Sequence, residues 1–352
     1  MCEKEKLLTI IVPAYNVEKY VDQCLNSLVN QTIINHKVII VDDGSKDMHT
    51  SEICKMYAEK YPEIISYVWQ ENKGLGAARN TGLSLATTEY VGFLDSDDWL
   101  TSNYVERVTE ELEKYRSEEL DIIFTLPVIY DNVTHNYSPW NDTDLFLSIF
   151  CTNNKIVSAQ EDYRIHDLEV SACRRIFRRE FLTEHNFSFP EGVKWEDVFP
   201  HFYLLHYAKR CLGIQDVGFY YRINTSGQIT NLSDFSRLDI VKVFAKTFSF
   251  GMNENCNRQV MKSMLRMLNS FAMWSLDNSN PEVRIALVKQ LFELYSILPK
   301  DLLNEYVKEH KNYKKEVLFV KSMQAKKGTL LYKDYFSMEV LLAVFNRIRR
   351  KR

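Results

Sequence analysis

Phe93-Leu94-Asp95-Ser96-Asp97-Asp98-Trp99 closes a short apolar run, residues 90–94, on a cluster of carboxylates. The run reads as a buried strand, and its end delivers acidic side chains at alternate positions, 95 and 97. Hard divalent cations such as Mg²⁺ or Mn²⁺ take oxygen ligands, usually one or two carboxylates completed by substrate phosphates. A D-x-D after a strand is also a common solvated turn, so this segment needs company before it carries chemistry.

Upstream, apolar runs at residues 7–12, 38–41 and 65–69 read as three more strands, each followed by a polar turn. Between them, Val17, Tyr20, Val21, Cys24, Leu25 and Leu28 have helical spacing, and helices are expected over 51–61 and 76–85. This alternation predicts an α/β protein of Rossmann-like character, with a mainly parallel sheet and flanking helices. Right-handed crossovers gather the polar turns along one sheet edge, where open α/β sheets bind ligands. Beyond residue 101 the pattern loosens into a helix at 103–115, a strand at 122–130, a polar aromatic stretch over 131–157, a helix at 197–207 and a strand at 219–223. From residue 235 the chain reads as all-helical, with long segments at 238–250, 256–276 and 281–298.

The turns carry groups that a nucleotide requires. Pro13-Ala14-Tyr15-Asn16 ends the first strand, Asp42-Asp43-Gly44-Ser45 the second, and a stretch from Gln70 to Asn80 follows the third. A carboxylate can accept from a base imide, asparagine can contact base or ribose, and arginine can neutralise phosphate. Singly, Asp43-Gly44 is a turn, and Gly74-Leu75-Gly76 lacks the G-x-G-x-x-G spacing. No G-K-[ST] follows either glycine cluster, which excludes a Walker-type phosphate loop.

Together, IIVPAYN (10–16), VDDGSKD (41–47), ENKGLGAARN (71–80) and FLDSDDW (93–99) resemble the nucleotide-binding half of family 2 glycosyltransferases. That family has the GT-A fold and includes enzymes of bacterial surface polysaccharide assembly. The resemblance covers about ninety residues, in the family's order and approximate spacing. It implies that Pro13, Tyr15 and Asp43 hold the base of a nucleotide sugar, with Asn72 and Arg79 near base and ribose. Asp95 would lie against ribose and metal, and Asp97 would ligate the metal. Downstream, FPEGVKWEDV (189–198) resembles the family's ED segment, which implies Asp197 as general base, with Glu196 orienting it or taking the role itself. The same pair also starts a helix, where acidic residues suit the dipole. The run 173–179 is similar to the family's approach to the acceptor side. YYRINTSGQIT (220–230) resembles a further family stretch, implying that Arg222 and Ser226, with Thr230 less firmly placed, approach the diphosphate from a mobile loop.

The resulting expectation is a metal-dependent, inverting glycosyltransferase using a UDP-sugar and a saccharide or lipid-linked saccharide acceptor. Its domains would be 1–232, divided into a nucleotide-binding half 1–100 and an acceptor half 101–232, and a helical region 233–352. A nucleotidyltransferase would need a basic, glycine-rich loop after the first strand, which Pro13-Ala14-Tyr15-Asn16 is not. A non-catalytic sugar-nucleotide scaffold is opposed by the intact Asp95, Asp97 and Asp197.

Composition sets the frame. The chain has 352 residues, 45% hydrophobic and 26% charged, with net charge −3. Residues 300–352 hold 14 Lys+Arg against 6 Asp+Glu, a net +8, so the rest carries −11. An acidic body with a basic end is not a nucleic-acid binder. Residues 335–352 pair an apolar helix with a basic cluster, which fits an anionic membrane surface, a docked helix or a contact with a second copy of the chain. Seven scattered cysteines without a C-x-x-C indicate a reducing compartment. A charged N-terminus without a signal peptide then predicts a cytoplasmic protein, peripheral on the inner membrane face if the tail anchors. His201 and His206 lack zinc-motif spacing and read as packed or surface residues, and Met261, Met264 and Met267 read as core.

Overall fold

The computed structural model describes residues 6–151, 156–225 and 233–324. It divides into two compact units, Met1–Asn231 and Leu232–Arg352.

In the first unit, strands β1 (Leu8–Ala14), β2 (His36–Asp42), β3 (Ile65–Trp69) and β4 (Tyr90–Phe93) alternate with helices α1 (Val21–Val29), α2 (Met48–Lys60) and α3 (Leu75–Leu85). The strands run parallel in the order β3-β2-β1-β4. Every residue of β1 is buried, as expected where helices cover both faces of a sheet. Alternate β1 side chains point to opposite layers. Leu8, Ile10 and Val12 join Val21, Leu25 and Leu28 of α1, while Ile11 joins Val41 and Ala78 of α3. Helix α2 starts on Asp47, whose carboxylate accepts from the Thr50 N–H at 2.6 Å, the usual N-terminal cap.

The sheet continues through β5 (Trp99–Leu100), β6 (Ile122–Asp131), β7 (Tyr137–Pro139), β8 (Ile156–Val157), β9 (Arg175–Arg178) and β10 (Cys211–Ile223), in the order β4-β9-β6-β10-β5. Interspersed are α4 (Tyr104–Lys114), α5 (Thr143–Phe150), α6 (Arg179–Glu184) and α7 (Val198–Tyr207). The α/β class holds, and parallel pairing recurs between β6 and β10, while the antiparallel pairs all involve strands of the second half. β9 lies antiparallel between β4 and β6. β9 reads Arg-Ile-Phe-Arg, too short and too charged to announce a strand. β10 is longer than the sequence suggests because its exposed Gln215 and Asp216 coincide with register shifts between Ile214 and Phe219. Such a bulge interrupts the apolar pattern.

The second unit contains α8 (Asp239–Asn253), α9 (Arg258–Asp277), α10 (Pro281–Ile297), α11 (Lys300–Glu309) and α12 (Lys314–Gln324). Met261 and Met264 are buried, Met267 half-buried, in line with core packing. Ser226, Thr230 and the 335–352 tail lie outside the described residues. The six described cysteines are free, and no described helix is long and apolar enough to cross a membrane.

Helix α3 packs closely on β1. A Cβ on Gly82 would fall 2.3 Å from Ile11 Cγ2. Gly82→Ala is therefore expected to lower unfolding free energy by about 1–3 kcal/mol, read from urea denaturation; an unchanged midpoint would contradict this packing.

Candidate active site

The turns after β1 and β2 are knitted together before any ligand arrives. Asn16, in the left-handed region at φ 51°, accepts from the Lys46 N–H at 2.8 Å and the Asp47 N–H at 3.3 Å. Asp42 is fully buried and accepts from Ser51 Oγ, from the Ser45 N–H at 2.9 Å and from Tyr67 Oη at 2.8 Å. Burial works against its ionisation, yet these hydrogen bonds outweigh it and hold the carboxyl below its ordinary value. Beside it, Asp43 organises the loop after β3. Its Oδ1 accepts from Gln70 Nε2 (2.7 Å) and the Lys73 N–H (3.0 Å), and its Oδ2 from the Gly74 N–H (2.8 Å). Asn72 donates to the Asp43 carbonyl at 2.9 Å. Pro13 is buried at the strand end, whereas Tyr15 and Asn72 are exposed along this edge.

The turn after β4 is crowded with negative charge. Asp95 and Asp97 are half-buried, and Asp98 is 1% exposed. Burial and the neighbouring Asp95 push Asp97 up to about 6. Burial, Asp97 and Asp95 push Asp98 well above its ordinary value. Asp98 Oδ1 accepts from the Arg222 N–H at 2.8 Å, while Oδ2 is buried without a partner. Ligand atoms of Asp95, Asp98 and Cys173 lie within 4.8 Å of one another; Asp97 is outside that cluster. Arg222, expected on a mobile loop, instead lies within β10 and is 5% exposed. Its guanidinium donates to the Asp97 carbonyl (2.7 Å), Asn132 Oδ1 (3.1 Å) and Gln23 Oε1 (2.7 Å), and covers the Trp99 ring at 4.5 Å. It braces the acidic turn because the strand read over 219–223 forms and stays paired with β6 to its end.

A buried arginine joins this turn to the ED segment. Arg79, 2% exposed, donates from Nη2 to Asp95 Oδ1 at 2.8 Å and from Nη1 to Glu196 Oε1 at 2.5 Å. The resemblance put Arg79 beside base and ribose; its guanidinium is occupied by two carboxylates instead. Two neighbours make this approach feasible. A Cβ on Gly76 would meet the Pro190 carbonyl oxygen at 2.2 Å, so only glycine allows α3 so close. Asn80 then clamps the Phe189 backbone, accepting its N–H at 2.8 Å and donating to its carbonyl at 3.0 Å. The chain turns inward at Trp195, whose φ of 63° is uncommon for a bulky residue. Asp197 is the N-cap of α7, but its side chain makes no capping bond. Burial raises both Glu196 and Asp197, with Arg79 opposing.

The arrangement therefore brings together Asp95, Arg79, Glu196 and Asp197, with Asp97, Asp98 and Arg222 alongside. Ser226 is not described. Sequence reasoning missed three residues: Asp98, Asn80 and the thiol of Cys173. All three stood in stretches singled out from the sequence, Asp98 in FLDSDDW, Asn80 at the end of ENKGLGAARN and Cys173 at the start of the run 173–179, without a role of their own. The donor chemistry fits a hard cation: three carboxylates share one turn, two of them are pushed up, and one buried oxygen is orphaned. Burial holds the Cys173 thiol protonated, a poor ligand for Mg²⁺ or Mn²⁺.

Residues 9–184 match the family model described as glycosyl transferase family 2. The glycosyltransferase GlyA of Streptococcus pneumoniae is 46% identical over 111 residues, 32% of this chain and 16% of that protein. The glycosyltransferase EpsJ of Bacillus subtilis is 32% identical over 200 residues, 55% of this chain and 54% of that one. The chain thus spans little more than half of EpsJ and far less of GlyA. In fold, it superposes on TarS from S. aureus, solved in complex with UDP-GlcNAc, with a TM-score of 0.70, 21% identity, and coverage of 91% of this chain and 88% of that one.

Removing Arg79 leaves Glu196 buried without its cation. In Arg79→Gln the folded-state affinity of Glu196 for a proton rises further above its unfolded value, so the native state binds more protons and stability falls as pH rises. The expected loss is about 3 kcal/mol at pH 8, shrinking toward pH 5 as Glu196 protonates. Denaturation curves at the two pH values check it; a loss that grows on acidification contradicts the bridge.

Proposed function

We propose that this chain, which belongs to glycosyl transferase family 2, moves a sugar from a UDP-sugar to an acceptor hydroxyl with inversion at the anomeric carbon. The observation that carries the reading is the Arg79 bridge, because it ties the acidic turn after β4 to the ED pair. A donor diphosphate at one and an acceptor hydroxyl at the other would then meet across a single sugar ring.

In this reading Asp43, Asn72, Pro13 and Tyr15 shape the pocket for the base. Asp95 and Asp97, with Asp98 behind them, would hold Mg²⁺ or Mn²⁺, which when bound supplies charge neutralisation at the departing diphosphate. Asp197 takes the proton from the acceptor hydroxyl as that oxygen attacks the anomeric carbon. The bond to the nucleotide diphosphate breaks on the opposite face, and its electron pair leaves with UDP. Glu196, anchored on Arg79, orients the neighbouring base. The acceptor class that fits is a saccharide or lipid-linked saccharide of a surface polymer. The basic segment 335–352 would meet the anionic membrane that carries a lipid-linked acceptor.

UDP release from a panel of UDP-sugars headed by UDP-GlcNAc, with and without Mn²⁺, tests the donor; water serves as acceptor for slow turnover. Asp97→Asn is expected to weaken Mn²⁺-dependent UDP binding about tenfold or more. Asp197→Asn should leave UDP binding within about twofold while lowering turnover by about a hundredfold or more. Wild-type turnover in Asp197→Asn would sink the base assignment, and no cation effect on UDP binding would sink the metal.

A further inference from the structure

A second buried arginine near the ED pair hydrogen-bonds no carboxylate among the described residues. Arg175, in β9, is 4% exposed. Its neighbours along the chain are conventionally paired: Arg174 with Asp142 at 2.6 Å and Arg178 with Asp121 at 3.1 Å. Arg175 has only neutral hydrogen-bond partners. Nη1 donates to the Ser171 carbonyl at 3.1 Å, Nη2 to His201 Nδ1 at 2.5 Å, and Nε is buried without a partner.

His201 is fixed by that contact. An arginine can only donate, so Nδ1 is the acceptor and Nε2 carries the proton, which it donates to the His166 carbonyl at 3.1 Å. Burial and Arg175 push His201 well down, keeping the imidazole neutral. The ring thus holds the guanidinium in place without supplying a counter-charge.

Arg175, His201 and Asp197 line one pocket, closed by Phe177, Phe189 and Leu204, with about 10 Å³ of room. That is too little for a layer of screening solvent, and in such surroundings charges act strongly on one another. Asp197 is the carboxylate in that lining, and its side chain makes no cap bond on its own helix.

We propose that Arg175, aimed by His201, is a positioning residue that keeps the Asp197 carboxylate charged and oriented as the base. The idea rests on the role assigned to Asp197 above, and it adds a residue that does not touch substrate. The charges facing Asp197 can be enumerated by element. Arg79 approaches from α3 and favours the carboxylate; Asp95, from the turn after β4, opposes it; Glu196 adjoins it in the chain; Arg175 favours it from β9. Around Arg175 stand Arg174, just ahead of the strand, Asp142 ahead of α5, and Cys211 of β10. Burial and Arg174 bring Arg175 down to about 9, so it stays a cation at neutral pH. Arg79, shared with two other carboxylates, acts most strongly on Asp197, and Arg175 is the second cation acting on it.

The sign follows directly. A cation favours the charged carboxylate, so removing it raises the Asp197 titration midpoint. The test is carboxyl ¹³C NMR of the full chain carrying [4-¹³C]aspartate, at fixed Mg²⁺, from pH 4 to 9. The Asp197 signal is assigned by its loss in Asp197→Asn. Arg175→Gln should raise the midpoint by about one pH unit or more, and Arg175→Lys should restore most of the difference. His201→Leu, which leaves the charge but frees the guanidinium, should shift it the same way by less. An unchanged midpoint in whichever of the Gln and Leu variants folds, judged by circular dichroism and UDP binding, overturns the proposal. The readout needs no turnover, so it fails separately from the base assignment. If Asp197→Asn keeps wild-type turnover, the catalytic reading falls while the electrostatic coupling is still measured.

Discussion

A guanidinium removed from water between two carboxylates, from residues 79, 95 and 196, is the constraint on which this site depends. Burying an arginine is tolerable only when partners satisfy it, and taking one away leaves an uncompensated charge. The three groups come from a helix, a turn after a strand and a segment more than a hundred residues downstream. The first half of the unit therefore cannot form its acidic turn as observed unless the later segment is seated. The connection that stabilises the halves also sets the distance across which a donor and an acceptor would face each other.

The distribution of buried charge has a direction. On β9, Arg178 meets Asp121, Glu180 and Glu184, whereas Arg175 is held by neutral groups, the His201 imidazole among them. On the turn after β4 the carboxylates outnumber their cations, and Asp98 keeps an orphaned oxygen. Asp197 stands nearer the first region, Asp97 in the second. An acidic site short of positive charge suits a bound cation. A carboxylate that shares a closed pocket with an arginine suits a base that must be ionised before reaction.

Much of this was legible in the sequence, and for identifiable reasons. The four parallel strands were readable because both faces of such a sheet are covered, so each appears as an unbroken apolar run ending in polar residues. The acidic turn and the ED pair were visible as motifs. What escaped reading depended on distant pairing. β9 carries two arginines in four residues, so its strand character comes from its neighbours β4 and β6. Arg79 looked like a ligand for a nucleotide, since nothing local discloses that Glu196 lies against it. Arg222 was assigned to a loop by the resemblance, although the apolar pattern over 219–223 already put it in a strand, and the strand is what forms. Asp98 was passed over because a period of two singles out 95 and 97; its burial becomes evident only once Arg222 is beside it.

The meeting of Gly76 with the Pro190 carbonyl, and of Asn80 with the Phe189 backbone, bears on how such proteins can be rebuilt. The contact is made to main chain, so a new side chain on the 187–198 segment leaves it intact, whereas any change in that segment's path does not. A graft that replaces residues 187–198 must therefore carry its own version of α3, or preserve the course of the chain between those points. Recombination breakpoints belong outside both segments, which are coupled through the backbone despite the long stretch of sequence separating them.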